Sequence, residues 1–187
     1  MSSGASDLLQ TWLIQHFGSE KFLPGLSRVG DFVQAELALI NEISPRIVTI
    51  AGTNGKGETA LTLAQMCRRN RKKYVLWTSP HLLRVTERLQ NEAGEIPVAE
   101  LQSLCGAVKA DAEKKAVGLS YYEVLFCAFL RWGIRQQAPL WIMEVGLGGR
   151  LDAVNLLTAD IVALTSISRD FQEILGLRYA EILLEKL

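Results

Sequence analysis

The run Ile50-Ala51-Gly52-Thr53-Asn54-Gly55-Lys56-Gly57-Glu58-Thr59 constrains this chain most, because an apolar, strand-forming segment passes through a glycine-rich turn into a helix. Small residues let successive backbone N–H groups converge on an anion, Lys56 adds a point charge, and the helix presents its positive end. Such a turn cradles phosphate, so the chain is a nucleotide binder. The spacing differs from the G-x-x-x-x-G-K-[ST] loop, since Ile50 stands at the first glycine and Gly57 follows the lysine.

The elements around the loop define the fold class. Residues 6–17 and 25–42 read as two amphipathic helices, the second from Leu26, Val29, Val33, Leu37 and Ile40, and Pro45 closes this helical lead-in of residues 1–45. Strands are predicted over residues 46–51, 74–77, 140–145 and 160–165, with helices over 59–70, 98–116 and 120–136 and a hairpin turn at 91–95. Alternating strands and helices give a doubly wound α/β sheet, mainly parallel, whose ligands gather at the carboxyl ends of the strands. All four strand runs are apolar enough to be central.

The 187 residues fit one domain, and no internal repeat or linker interrupts them. Lys plus Arg equals Asp plus Glu, so there is no electrostatic footprint for nucleic acid. The cluster Arg68-Arg69-Asn70-Arg71-Lys72-Lys73 falls where cations complement a helix C-terminus. Cys67, Cys105 and Cys127 lack metal-ligand spacing and read as buried free thiols of a reducing, cytoplasmic compartment. Neither a leader nor a long apolar run indicates a membrane.

Two further segments narrow the function: Thr78-Ser79-Pro80-His81-Leu82, and Glu144-Val145-Gly146-Leu147-Gly148-Gly149-Arg150-Leu151-Asp152-Ala153-Val154-Asn155. With the loop, and in this order, they resemble the folylpolyglutamate synthase/dihydrofolate synthase family of the Mur ligase superfamily over residues 20–187. The resemblance implies that residues 1–187 are part of a P-loop NTPase-like ATP-binding domain, truncated, with the C-terminal ligase domain absent. It implies ATP-dependent addition of glutamate to dihydropteroate or a folate, with ATP and Mg2+ as cofactors. The γ-phosphate would pass to a substrate carboxylate, and the glutamate amine would attack the resulting acyl phosphate.

By the same resemblance Gly52, Thr53, Asn54, Gly55, Lys56, Gly57 and Thr59 bind ATP, Ser79 and Glu144 hold magnesium, and Lys56 and Glu144 are catalytic. The pteroate or folate is implied to contact Leu23, Pro24, Ser120, Tyr121, Tyr122, Glu123, Leu151, Asp152 and Ala153, with Ser120-Tyr121-Tyr122-Glu123 standing for the family's Thr-x-Phe-Glu. Two positions depart from the pattern. Glu58 replaces a small hydroxyl residue, and Phe171 replaces a histidine ligand of the metal. An inactive or incomplete form is therefore expected, and self-association of the shortened sheet with it. A noncatalytic nucleotide- or partner-binding module and a cell-wall Mur ligase fragment are the alternatives, the latter disfavoured by Thr78–Leu82 and Tyr121–Glu123.

Overall fold

The computed structural model describes residues 3–20, 25–168, 173, 176 and 178–186. Strand β1 (Arg46–Ala51) is the first in the chain and lies one place in from an edge of the sheet. It is followed by β2 (Val75–Trp77), β3 (Leu89–Asn91), β4 (Gly94–Glu95), β5 (Leu140–Glu144) and β6 (Ile161–Leu164). Their spatial order is β4-β3-β2-β5-β1-β6. The strands β2, β5, β1 and β6 are parallel, and β3 and β4 form an antiparallel hairpin at one edge. This is the mainly parallel α/β sheet expected from the alternation of elements. Strands buried on both faces need continuous apolar runs, as Ile47, Val48 and Ile50 of β1 and Trp141, Ile142 and Met143 of β5 provide.

Helix α4 (Lys56–Arg69) covers one face of the sheet, setting Ala60, Ala64 and Cys67 against Val48, Ile50, Leu76 and Ile142. On the other face α5 (Val98–Lys114) packs against α6 (Tyr121–Gln136), which is apolar almost all round. There Trp77, Phe126, Phe129 and Trp141 meet at ring-centroid distances of 5.5–5.7 Å. Gly133 admits Trp141, whose ring would lie 2.8 Å from any Cβ added there. The three cysteines are free and buried, and burial pushes the Cys105 thiol up to about 12. No helix among the described residues is long and apolar enough to cross a membrane.

Three local expectations need correction. The single helix over 25–42 is two, α2 (Ser27–Phe32) and α3 (Gln34–Ile43), preceded by α1 (Ser3–Phe17). The chain leaves helical geometry at Val33 (φ −101°, ψ 17°), and Val29, Phe32 and Val33 all enter the core. A short final helix, α7 (Tyr179–Lys186), was not expected. Strand β6 is not central among the described residues: it pairs only with β1, leaving Ile161, Val162 and Leu164 at 40–53% exposure.

An apolar strand edge is a template for another chain. A polypeptide of these 187 residues is expected to self-associate with rising concentration, and Val162→Lys to reduce it. Light scattering during size-exclusion chromatography checks this, and a concentration-independent monomer would contradict it.

Candidate functional site

The distinctive residues converge where β1, β2 and β5 end. After Ala51 the chain turns through Gly52 (φ 140°) and Gly55 (φ 83°), both in the positive-φ region that a side chain disfavours. At Gly52 an added Cβ would meet Thr165 Oγ1 at 2.0 Å, so only glycine fits. The loop rests on the segment leaving β6. Thr53 N–H donates to the Ser166 carbonyl (2.7 Å), Asn54 N–H to Ser166 Oγ (3.0 Å), and Thr165 Oγ1 to the Asn54 carbonyl (2.8 Å). Ser168 N–H donates to Thr53 Oγ1 (3.1 Å).

Two ammonium groups share the loop. Lys56 Nζ donates to the carbonyls of Gly52 (3.1 Å) and Thr53 (3.2 Å), and Lys186 Nζ donates to the same Gly52 carbonyl (2.9 Å). Lys186 arrives on α7, whose end docks on the glycine run after β5: Arg150 N–H donates to the Glu185 carbonyl, and the two side chains pair, both at 2.8 Å. Neighbouring cations at a helix N-terminus give a positive environment suited to an anion. Glu58 and Thr59 are exposed in the first turn of α4, and Thr59 Oγ1 is turned back to the Gly55 carbonyl (2.8 Å).

Glu144 closes the other side. It is buried, takes the Ser79 N–H on Oε2 (3.0 Å), and lies 3.4 Å from where a Cβ of Gly57 would stand. Burial holds its carboxyl above the ordinary carboxylate range, opposed by the Ser79 N–H, Lys56 and Arg88. The folded chain therefore binds this proton more tightly than the unfolded chain. Glu144 adds stability below the unfolded carboxyl pKa and loses it as pH rises through the raised folded value. Ser79 Oγ is buried with no partner among the described residues. A partnerless oxygen beside a carboxylate fits a hard divalent cation. No group of three or more His, Cys, Asp or Glu among the described residues could hold a metal ion, so among those residues the site offers Ser79 Oγ and the Glu144 carboxylate. Phe171, which the resemblance sets at the position of a histidine ligand, lies outside the described residues.

The residues implied for the organic substrate lie beside this edge and bond to one another. Ser120 caps α6, and Glu123 reaches back to the Ser120 N–H (2.7 Å) and grips Arg28 through both oxygens (2.6 and 2.9 Å). Tyr122 takes the Trp77 indole N–H (3.3 Å) and donates to Asp152 (3.0 Å). Asp152 also accepts from Gly146 (3.1 Å), Leu147 (3.1 Å) and Val154 (2.9 Å) backbone N–H groups, fixing the run after Glu144. Both carboxylates are thus engaged within the fold. Tyr121 is buried against Arg88 with its hydroxyl unpartnered among the described residues, Leu151 is half-buried, and Ala153 opens a 3-10 turn (Ala153–Leu156). Leu23 and Pro24 lie outside the described residues. Sequence reading missed Thr165, Ser166, Ser168, Arg150 and Lys186, which build the loop's support.

Comparison with known proteins decides the family. The chain is 36% identical over 175 residues to dihydrofolate synthase/folylpolyglutamate synthase of Escherichia coli (strain K12), covering 92% of this chain and 40% of that protein. These residues belong to the dihydrofolate synthase/folylpolyglutamate synthase family. The relative of the same name from Haemophilus influenzae is 31% identical, with 100% of this chain and 42% of the relative covered. Among solved structures, E. coli FolC in complex with DHPP and ADP matches with a TM-score of 0.85 at 34% identity, over 95% of this chain and 42% of that one. The Yersinia pestis bifunctional enzyme complexed with AMPPNP and Mn ion matches with a TM-score of 0.82 at 36% identity, over 95% and 43%. No family profile matches the sequence. The chain thus spans about two fifths of its relatives' length, within a ligase family of which one solved structure holds DHPP and ADP and another AMPPNP and Mn ion.

Proposed function

We propose that this chain carries the ATP-phosphate and magnesium half of a ligase that adds glutamate to dihydropteroate or a folate. The supporting observation is the meeting of Lys56, Glu144 and the partnerless Ser79 Oγ at one sheet edge, beside glycines that accept no side chain. Backbone N–H groups of residues 55–57 and the Lys56 ammonium would take the β- and γ-phosphates, with Thr53, Asn54 and Thr59 close by and the Thr53 and Asn54 N–H groups holding the loop on Ser166. Glu144 and Ser79 would hold the magnesium ion, which when bound neutralises charge on the transferring phosphoryl group. Lys56 screens the same charge from the other side. Ser120–Glu123 and Leu151–Ala153, with Leu23 and Pro24, would form the wall toward the pteroate, with Glu123 and Asp152 acting by holding backbone in place.

Glu58 works against this chemistry. A carboxylate in the first turn is stabilising by about 0.3–1 kcal/mol at the helix N-terminus. That interaction favours the empty loop and repels phosphate. ATP is expected to bind weakly and to gain little from magnesium, Glu58→Ser and Phe171→His together to raise magnesium-dependent binding, and the parent polypeptide to show no ligation turnover. Titration calorimetry and a coupled assay for ADP release with dihydropteroate and glutamate check this. Tight MgATP binding unaltered by both substitutions, or substrate-dependent turnover, would contradict it.

A further inference from the structure

Arg88 is fully buried at the end of a 3-10 turn (Val85–Arg88), and its guanidinium is divided among three groups. Nη1 and Nη2 donate to the two oxygens of Glu20 (2.8 and 2.7 Å), Nε donates to Nδ1 of His81 (2.9 Å), and Cζ stands 5.6 Å from the centre of the Tyr121 ring. A guanidinium has donors only and stays protonated in proteins. The histidine nitrogen that meets it must therefore present a lone pair. That places the proton of the neutral imidazole on Nε2, which has no hydrogen-bond partner among the described residues.

The backbone around His81 is held as firmly as its ring. The Glu87 carboxylate accepts the N–H groups of Leu82 (2.8 Å), Leu83 (3.1 Å) and Arg84 (2.8 Å), and Thr78 N–H donates to the Arg88 carbonyl (3.1 Å). Leu82 and Leu83 are nonetheless 90% and 74% exposed, although the loop carrying them is tied down. His81, half-buried and followed by two exposed leucines, thus stands two residues beyond Ser79.

We propose that Arg88 is a positioning residue that locks His81 in its Nε2–H tautomer, so that the site presents a fixed neutral hydrogen-bond donor to an acceptor oxygen of an apolar acyl substrate. The substrate-facing role rests on the proposed function; the tautomer does not. The test is a long-range 1H–15N correlation spectrum of 15N-histidine-labelled chain, in which His16 and His81 are the two histidines. His81 is expected to show a protonated Nε2 and a bare Nδ1, and Arg88→Met to give a mixture of tautomers with ATP binding unchanged. A protonated Nδ1 or a tautomer mixture in the parent chain, which needs no variant to fold, would overturn the lock. For the outward donor, His81→Phe is expected to weaken dihydropteroate binding about tenfold, the scale of one hydrogen bond, with ATP binding unchanged. Equal affinity in the variant, or no dihydropteroate binding by the parent chain, would overturn that role. Absent ATP binding would count against the site's proposed function and leave the spectral result standing.

Discussion

Replacing Asp152 with alanine is expected to lower the stability of the fold by about 3–5 kcal/mol, on the scale of losing a buried hydrogen-bonded charge. The carboxylate is buried and accepts from the N–H groups of Gly146, Leu147 and Val154 and from the Tyr122 hydroxyl. Each buried donor left without an acceptor costs about 1–3 kcal/mol, and water admitted to the gap offsets part of the sum. Burial raises the Asp152 carboxyl, and the backbone N–H groups of Val154 and Leu147, with the Tyr122 hydroxyl, pull it back. Tyr122→Phe leaves the three backbone groups satisfied but takes the acceptor from the buried Trp77 indole N–H, so its cost is smaller, about 1–3 kcal/mol. Urea denaturation of the three proteins measures both. Equal stability of Asp152→Ala and the parent would mean that the run after Glu144 holds itself.

Gly52→Ala is expected to remove nucleotide binding altogether. With φ at 140°, alanine is strained there by about 1–3 kcal/mol. Its methyl would lie 2.0 Å from Thr165 Oγ1 and 3.1 Å from the backbone of Ser166. Those residues anchor the loop, so relief requires the loop to leave the segment that shapes it. The carbonyl shared by Lys56 and Lys186 would move with it. The change therefore acts on both cations and on the converging N–H groups together, whereas Gly94→Ala, at a glycine with open space around its Cβ, serves as a control away from the loop. Calorimetry with ATP distinguishes them, and retained binding by Gly52→Ala would show that the loop's conformation is not what recognises phosphate.

Much of this arrangement was legible in the sequence because it depends on neighbours. Strand, glycine turn and helix follow one another within residues 46–69, and Ser120 with Glu123 spells a helix cap three residues apart. What escaped depends on contacts across the chain. Thr165 and Ser166 reach the glycine loop over sequence separations of 111 to 114 residues, a contact their local sequence does not show. Lys186 lies 134 residues from the carbonyl it holds. The break at Val33 preserves the helical spacing of apolar residues on either side, so periodicity could not reveal it. The exposed β6 has the same apolar composition as the buried strands, since burial depends on what packs against a strand. The resemblance identified Glu123 and Asp152 as substrate-side residues, whereas their bonds to Arg28 and to Gly146, Leu147 and Val154 needed the folded chain.

The central claim is that the glycine loop with Lys56, facing Glu144 and Ser79, is an adenine-nucleotide phosphate site. Titration calorimetry of ATP into the parent chain, Lys56→Met and Glu144→Gln, each with and without magnesium, tests it most directly. The account predicts weak but saturable binding by the parent, at least about tenfold weaker binding by Lys56→Met from loss of one charge-assisted contact, and loss of any magnesium dependence in Glu144→Gln. No saturable heat with the parent chain, or identical binding by all three proteins, would contradict it.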